Sequence, residues 1–230
     1  MRVLLIHGSG GNAESAWAPV QALGERFELV APNRSGYPPN PQLERIDFEE
    51  QAEELAPLLE GGSHLVGHSY GGVIALLVAA RRPEAVLSLA VSEPPAFALA
   101  REDPDVARLV EQLDHVKHTV DEPRAFATAF LELVGSNATL PDTLPPEAEQ
   151  SIRATMAERS PLEAEIPLDE LAATLFPKLV ISGAHHPAFD AVCDVLEQRL
   201  RAERAVLPGA GHSIPRAPGY AKLLEEFLGG

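Results

Sequence analysis

One stretch limits the fold more than any other. Gly67-His68-Ser69-Tyr70-Gly71 stands between the apolar run His64–Val66 and the apolar stretch Val73–Arg82. The run reads as a buried strand, and the stretch, apolar nearly all round, as a buried helix. A serine in so sharp a strand-to-helix turn is held in a strained conformation, with its hydroxyl above the sheet. The flanking glycines leave room for the chain to turn. The following helix aims its N-terminal dipole at that hydroxyl, where negative charge would develop in a reaction. Such a turn needs a sheet to carry it.

The remaining strands follow the same logic. Val3–Ile6, Glu28–Ala31, Val86–Val91, Lys178–Ser182 and Arg204–Leu207 are short apolar or alternating runs. Helical stretches separate them: Ala16–Phe27, with Trp17, Val20 and Leu23 on one face, and a helix capped at Asp47, bent near Pro57 and ended by Gly61-Gly62. Tyr220–Leu228 closes the chain as a helix, with Leu223, Leu224 and Phe227 inward. This rhythm predicts an α/β fold, a mostly parallel central sheet with helices on both faces. The rhythm breaks between Ala96 and Phe176, where only helical patterns occur. Val106, Leu109, Val110, Leu113 and Val116 follow the cap Asp103-Pro104, and Phe126, Phe130 and Leu133 precede Gly135. The expected organisation is a core of residues 1–95 and 177–230, with a helical lid, 96–176, inserted after the fourth strand.

Composition excludes several function classes. The net charge of −16, from 34 acidic and 18 basic residues, repels polyanions and argues against nucleic acid or an anionic membrane as partner. A small molecule is the expected partner. The only cysteine, Cys193, lies in an apolar helical stretch and reads as core. The first apolar run is too short for a signal peptide or a membrane span, so a cytoplasmic location is expected.

Two further motifs carry chemistry. His7-Gly8-Ser9-Gly10-Gly11 ends the first strand, and its glycines let backbone N–H groups approach an oxyanion. The N–H groups of Ser9 and Tyr70 are the expected oxyanion hole, while His7 reads as structural. Gly209-Ala210-Gly211-His212 follows the last strand. A serine hydroxyl needs a base with a pKa near neutrality, and His212 is placed to supply it.

Together these positions resemble the α/β-hydrolase fold family over nearly the whole chain. The matching segments are His7–Gly10, Asn33-Arg34-Ser35-Gly36-Tyr37, Gly67–Gly71, Leu179–Gly183 and Gly209–His212. The resemblance implies a serine hydrolase that cleaves an ester-like bond through an acyl-enzyme on Ser69, without a cofactor. One departure stands out. Members often carry an aspartate shortly after the strand that here ends in Ser182-Gly183, where this chain reads Ala184-His185-His186-Pro187. Glu93, after the fourth strand, is the first choice for the acid, because some members, including haloalkane dehalogenases, place it there. Asp190 is the alternative. The lid side chains Leu109, Leu113, Phe126 and Phe130 suggest a small, uncharged, partly apolar substrate.

Rival readings weigh less. Gly8-Ser9-Gly10-Gly11-Asn12-Ala13 fits a dinucleotide fingerprint, and Arg34 would meet a 2′-phosphate in an NADP-dependent oxidoreductase. That reading leaves Ser69 and His212 unexplained. A non-catalytic binding protein of the same fold would account for the missing aspartate, but not for the retained serine and histidine. Adjacent histidines point in opposite directions, so His185 and His186 do not suggest a metal site, nor do His115 and His118 with no cluster around them.

Overall fold

A computed structural model describes residues 1–229. Six strands, β1 (Arg2–Ile6), β2 (Glu28–Val30), β3 (Ser63–His68), β4 (Val86–Ser92), β5 (Lys178–Ser182) and β6 (Glu203–Val206), form one sheet in the order β2-β1-β3-β4-β5-β6. Every neighbouring pair runs parallel. Side-chain alternation sends Leu4, Ile6, Leu65, Val91 and Val180 to one apolar layer, and Val3, Leu5, Val66, Ala90, Leu179 and Ile181 to the other. Burial on both faces explains why these strands read as continuous apolar runs.

The helices are α1 (Ala13–Trp17), α2 (Phe48–Leu55), α3 (Tyr70–Arg81), α4 (Pro104–Thr119), α5 (Pro123–Leu133), α6 (Pro146–Ala157), α7 (Leu168–Ala173), α8 (Pro187–Leu200) and α9 (Tyr220–Gly229). One face is covered by α2, α3 and α8, and the other by α1 and α9. α3 is buried almost throughout, as its apolar circumference requires.

The expected helix over 16–27 is corrected. α1 begins earlier, capped by Asn12, and Ala18–Glu25 winds as a 3-10 helix. Trp17, Val20 and Leu23 do share a buried face. Their spacing of three suits the three-residue turn of that tighter helix, in which such positions eclipse. The helix capped at Asp47 also tightens, passing into a 3-10 turn over Ala56–Leu59 at Pro57.

Between β4 and β5 lie only helices, α4 to α7, with short 3-10 turns. Asp103 caps α4, accepting from the amides of Asp105 and Val106, with Pro104 at the first position. Among the described residues no helix is long and apolar enough to cross a membrane.

Candidate active site

The chain reverses its direction of growth across the sheet between β1 and β3, and pockets in open parallel sheets form at such a switch point, beyond the carboxyl ends of the strands. Ser9 follows β1, Ser69 follows β3, Glu93 follows β4 and His212 lies in the loop after β6. The register pairs His68 with Ser92, so Ser69 and Glu93 are the next residues out on neighbouring strands.

Ser69 has φ 52° and ψ −128°, a conformation costly for a residue with a Cβ. Close packing imposes it. A Cβ on Gly71 would strike the Ile6 and His7 carbonyls, so only glycine lets α3 start against β1. The Ser69 amide donates to the Ser92 carbonyl at 2.9 Å, and the Gly72 amide to the Ser69 carbonyl at 2.7 Å.

The Ser69 hydroxyl lies 2.8 Å from Nε2 of His212, and His212 Nδ1 lies 2.8 Å from Oε2 of Glu93. Ser69 and His212 are each 6% exposed and Glu93 is 0% exposed. Burial alone would raise the Glu93 carboxyl, but the adjacent imidazoles of His185 and His212, the charge of His212 and the hydrogen bond from the Gly183 amide outweigh it, leaving the group at about 2. The ring of Phe189 stacks on His212, with centroids 4.4 Å apart. His68 Nε2–H donates to the His212 carbonyl at 2.8 Å. Burial, with repulsion from His212, drives the His68 imidazole down to about 3.

Asp190, the alternative acid, stands on α8 and faces Arg204 at 3.4 Å. The structure therefore brings Glu93, not Asp190, to His212. His7 is structural as expected, its Nδ1 2.8 Å from the Gly8 carbonyl and its Nε2 accepting from the Arg34 amide at 3.1 Å.

Two features escaped the sequence reading. The first is Glu158, just after α6, which is buried. It accepts from Arg34 and from the Tyr37 hydroxyl, each at 2.7 Å, and from the Ser9 hydroxyl at 2.5 Å. The Gly10 amide donates to the Thr155 hydroxyl at 2.9 Å. The glycine loop after β1 is thus tethered to α6. Arg34 is buried against Glu158, Gln51 and the Gly8 carbonyl, so it is not presented to a nucleotide phosphate. No local pattern marks Glu158, because its partners lie more than a hundred residues away. The second is His185, whose Nδ1 lies 3.2 Å from Oε1 of Glu93.

A cavity of about 630 Å³ opens above Ser69. Ser9, Ser69, Tyr70 and His212 form its floor, while Val106, Leu113, Phe126 and Phe130 contribute an apolar wall. Lys117, Glu158 and Arg159 also line it, so the polar part carries both signs of charge.

Comparison with known proteins agrees with this architecture. A family model described as the alpha/beta hydrolase family matches residues 3–220. A pimeloyl-[acyl-carrier protein] methyl ester esterase of Aeromonas hydrophila is 27% identical, over 99% of this chain and 95% of its own. The esterase of the same name from Neisseria meningitidis serogroup B is 24% identical, over 100% and 93%. A thermophilic esterase from Thermogutta terrifontis superposes with a TM-score of 0.74 at 22% identity, covering 99% of this chain and 89% of that one. With the family match spanning most of the chain and the sheet order in agreement, the protein belongs to the alpha/beta hydrolase family.

Proposed function

We propose that the protein is a carboxylesterase-like serine hydrolase, with Ser69 as nucleophile, His212 as general base and Glu93 as the acid of the triad. The observation that carries this reading is the unbroken contact chain from Ser69 Oγ through both nitrogens of His212 to Glu93, 2.8 Å at each step. The relatives named as methyl ester esterases support the reaction class.

In this reading Ser69 attacks the ester carbonyl as its proton passes to His212 Nε2. Glu93 stays ionised, fixes the Nδ1–H tautomer and stabilises the imidazolium. The N–H groups of Ser9 and Tyr70 receive the oxyanion, and each such donor contributes about 10²–10³ in rate. His212 then protonates the departing alkoxide, and water attacks the acyl-enzyme by the reverse sequence.

The helical insertion over 96–176 acts as the lid, its apolar wall selecting an uncharged, partly apolar acyl group. A methyl ester of an acyl chain, the substrate class in the relatives' names, fits such a wall.

Labelling with a fluorophosphonate, read by intact mass, tests the reading. One adduct on the protein and none on Ser69→Ala is expected, with turnover of p-nitrophenyl esters lost in the same variant. Failure to label the unaltered protein at any pH would overturn it and leave a binding protein of the same fold.

A further inference from the structure

We propose that His185 is a positioning residue for this reaction, clamping the second carboxylate oxygen of Glu93 and tuning His212 through that shared carboxylate. The inference rests on the triad reading above.

His185 directly precedes His186, which stands where the aspartate is expected. The backbone turns His185 inward through Ala184, which has φ 49°, a conformation a Cβ disfavours and one that gathers at functional sites. Its Nε2–H donates to the Val134 carbonyl at 3.0 Å, while Nδ1 faces Glu93 Oε1 at 3.2 Å along a bent approach. With Nε2 committed as a donor, a neutral ring would turn the Nδ1 lone pair towards a carboxylate. Only the doubly protonated ring satisfies both contacts. The bent approach makes charge, more than hydrogen-bond direction, the source of the attraction.

The surroundings favour that charge. Burial opposes it, but Glu93, the Val134 carbonyl and Asp190 outweigh the burial and hold the imidazole above its ordinary value. The other titratable groups facing His185 are the rings of His186 and His212, 6.2 and 6.1 Å away between centroids. Phe189 stacks on one side of the ring. On the α5 side a Cβ on Gly135 would come within 2.6 Å of the imidazole, so only glycine allows the Val134–Gly135 turn to back it.

The clamp answers a difficulty specific to glutamate. Glutamate has one more rotatable bond than aspartate, and holding it still costs more entropy. Here Oε2 is engaged by His212, and Oε1 by the Gly183 amide at 2.7 Å and by His185. The carboxylate is also shared. A cation on Oε1 lessens the charge that Glu93 offers His212.

Two measurements test the proposal. The first is an NMR titration of the His185 imidazole in the protein and in Glu93→Gln, which needs no substrate. His185 is expected to keep its proton to higher pH beside Glu93 than beside glutamine. The second is kcat/KM against pH for His185→Ala and His185→Asn. The acid limb should move up by about 0.5–1 pH unit in both, because both lose the cation. Plateau kcat should fall about ten-fold in His185→Ala and less in His185→Asn, which keeps a donor near the Nδ1 position. An identical His185 titration in the two proteins, or an unmoved acid limb in both variants, overturns the proposal. If the unaltered protein turns over no ester, the esterase reading fails separately, and the NMR comparison alone decides whether His185 carries charge for Glu93.

Discussion

Ser69 and Glu93 leave adjacent strands with positive φ, 52° and 43°, one residue beyond the paired His68 and Ser92. Two neighbouring strands therefore end in positive-φ residues that bring a hydroxyl and a carboxylate to one imidazole. Glu93→Gln should lower kcat by about 10³–10⁴, since the amide neither stabilises the imidazolium nor enforces its tautomer. Asp190→Asn should leave kcat within about three-fold, because Asp190 meets Arg204 and not His212. Steady-state kinetics on both variants checks the assignment, and equal losses would remove Glu93 from it.

Two histidines kept neutral by desolvation give the fold an acid liability. The His68 imidazole lies at about 3 when folded, against an unfolded value near 6.5. His7 is also held well below its usual value, by burial and by Arg34. A histidine depressed in this way contributes its full stability above the unfolded pKa and loses it as pH falls towards the folded one. For His68 the loss is about 2 kcal/mol at pH 5. His185, shifted the other way, weakens the fold only as pH rises. Tm should therefore fall between pH 7 and pH 5, and His68→Gln, which keeps a donor for the His212 carbonyl, should flatten that slope. An unchanged slope by scanning fluorimetry would contradict the argument.

Glu158 offsets the charge of a buried guanidinium. Glu158→Gln leaves Arg34 buried without a counterion, and breaking such a pair costs roughly 3–5 kcal/mol. A fall in Tm of roughly 6–20 °C is expected for a chain of this size. Removing both charges, in Arg34→Met with Glu158→Gln, should recover part of it. Thermal melts of the single and double variants decide.

The proposed role of the apolar wall makes turnover depend on acyl length. Leu113→Trp fills part of the cavity, so kcat/KM for an octanoyl ester should fall about ten-fold relative to an acetyl ester, in line with the few kcal/mol that such contacts carry. A p-nitrophenyl ester series measures this directly, and a parallel change for both esters would point away from the wall.

What was legible in the sequence follows from how local each signal is. Ser69 and His212 sit in glycine-marked turns at strand ends, where type and spacing are read within a few residues. Glu93 was legible because parallel pairing puts the end of β4 beside the end of β3. Glu158 was not, since an acid after α6 gains meaning only when folding brings Ser9, Arg34 and Tyr37 around it. His185 was noticed only as half of a histidine pair. Its role depends on a positive φ at Ala184 and a carbonyl from Val134, and neither leaves a mark on composition. The 16–27 segment was misjudged because a repeat of three suits both helix types over so short a span, and Pro19 with Gly24 favours the tighter one.

The contacts between the helical segment that joins β4 to β5 and the loops at the strand ends bear on how such a protein can be altered. Thr155 and Glu158 hold the loop of Ser9 and Gly10, while the consecutive carbonyls of Val134 and Gly135 accept from His185 and from the amide of His212. The helical segment is thus no detachable module. Grafting it from a relative would replace, along with the substrate-facing wall, four anchors that align two parts of the reaction centre. Single exchanges along the cavity wall, at Val106, Leu113, Phe126 or Phe130, leave those anchors in place.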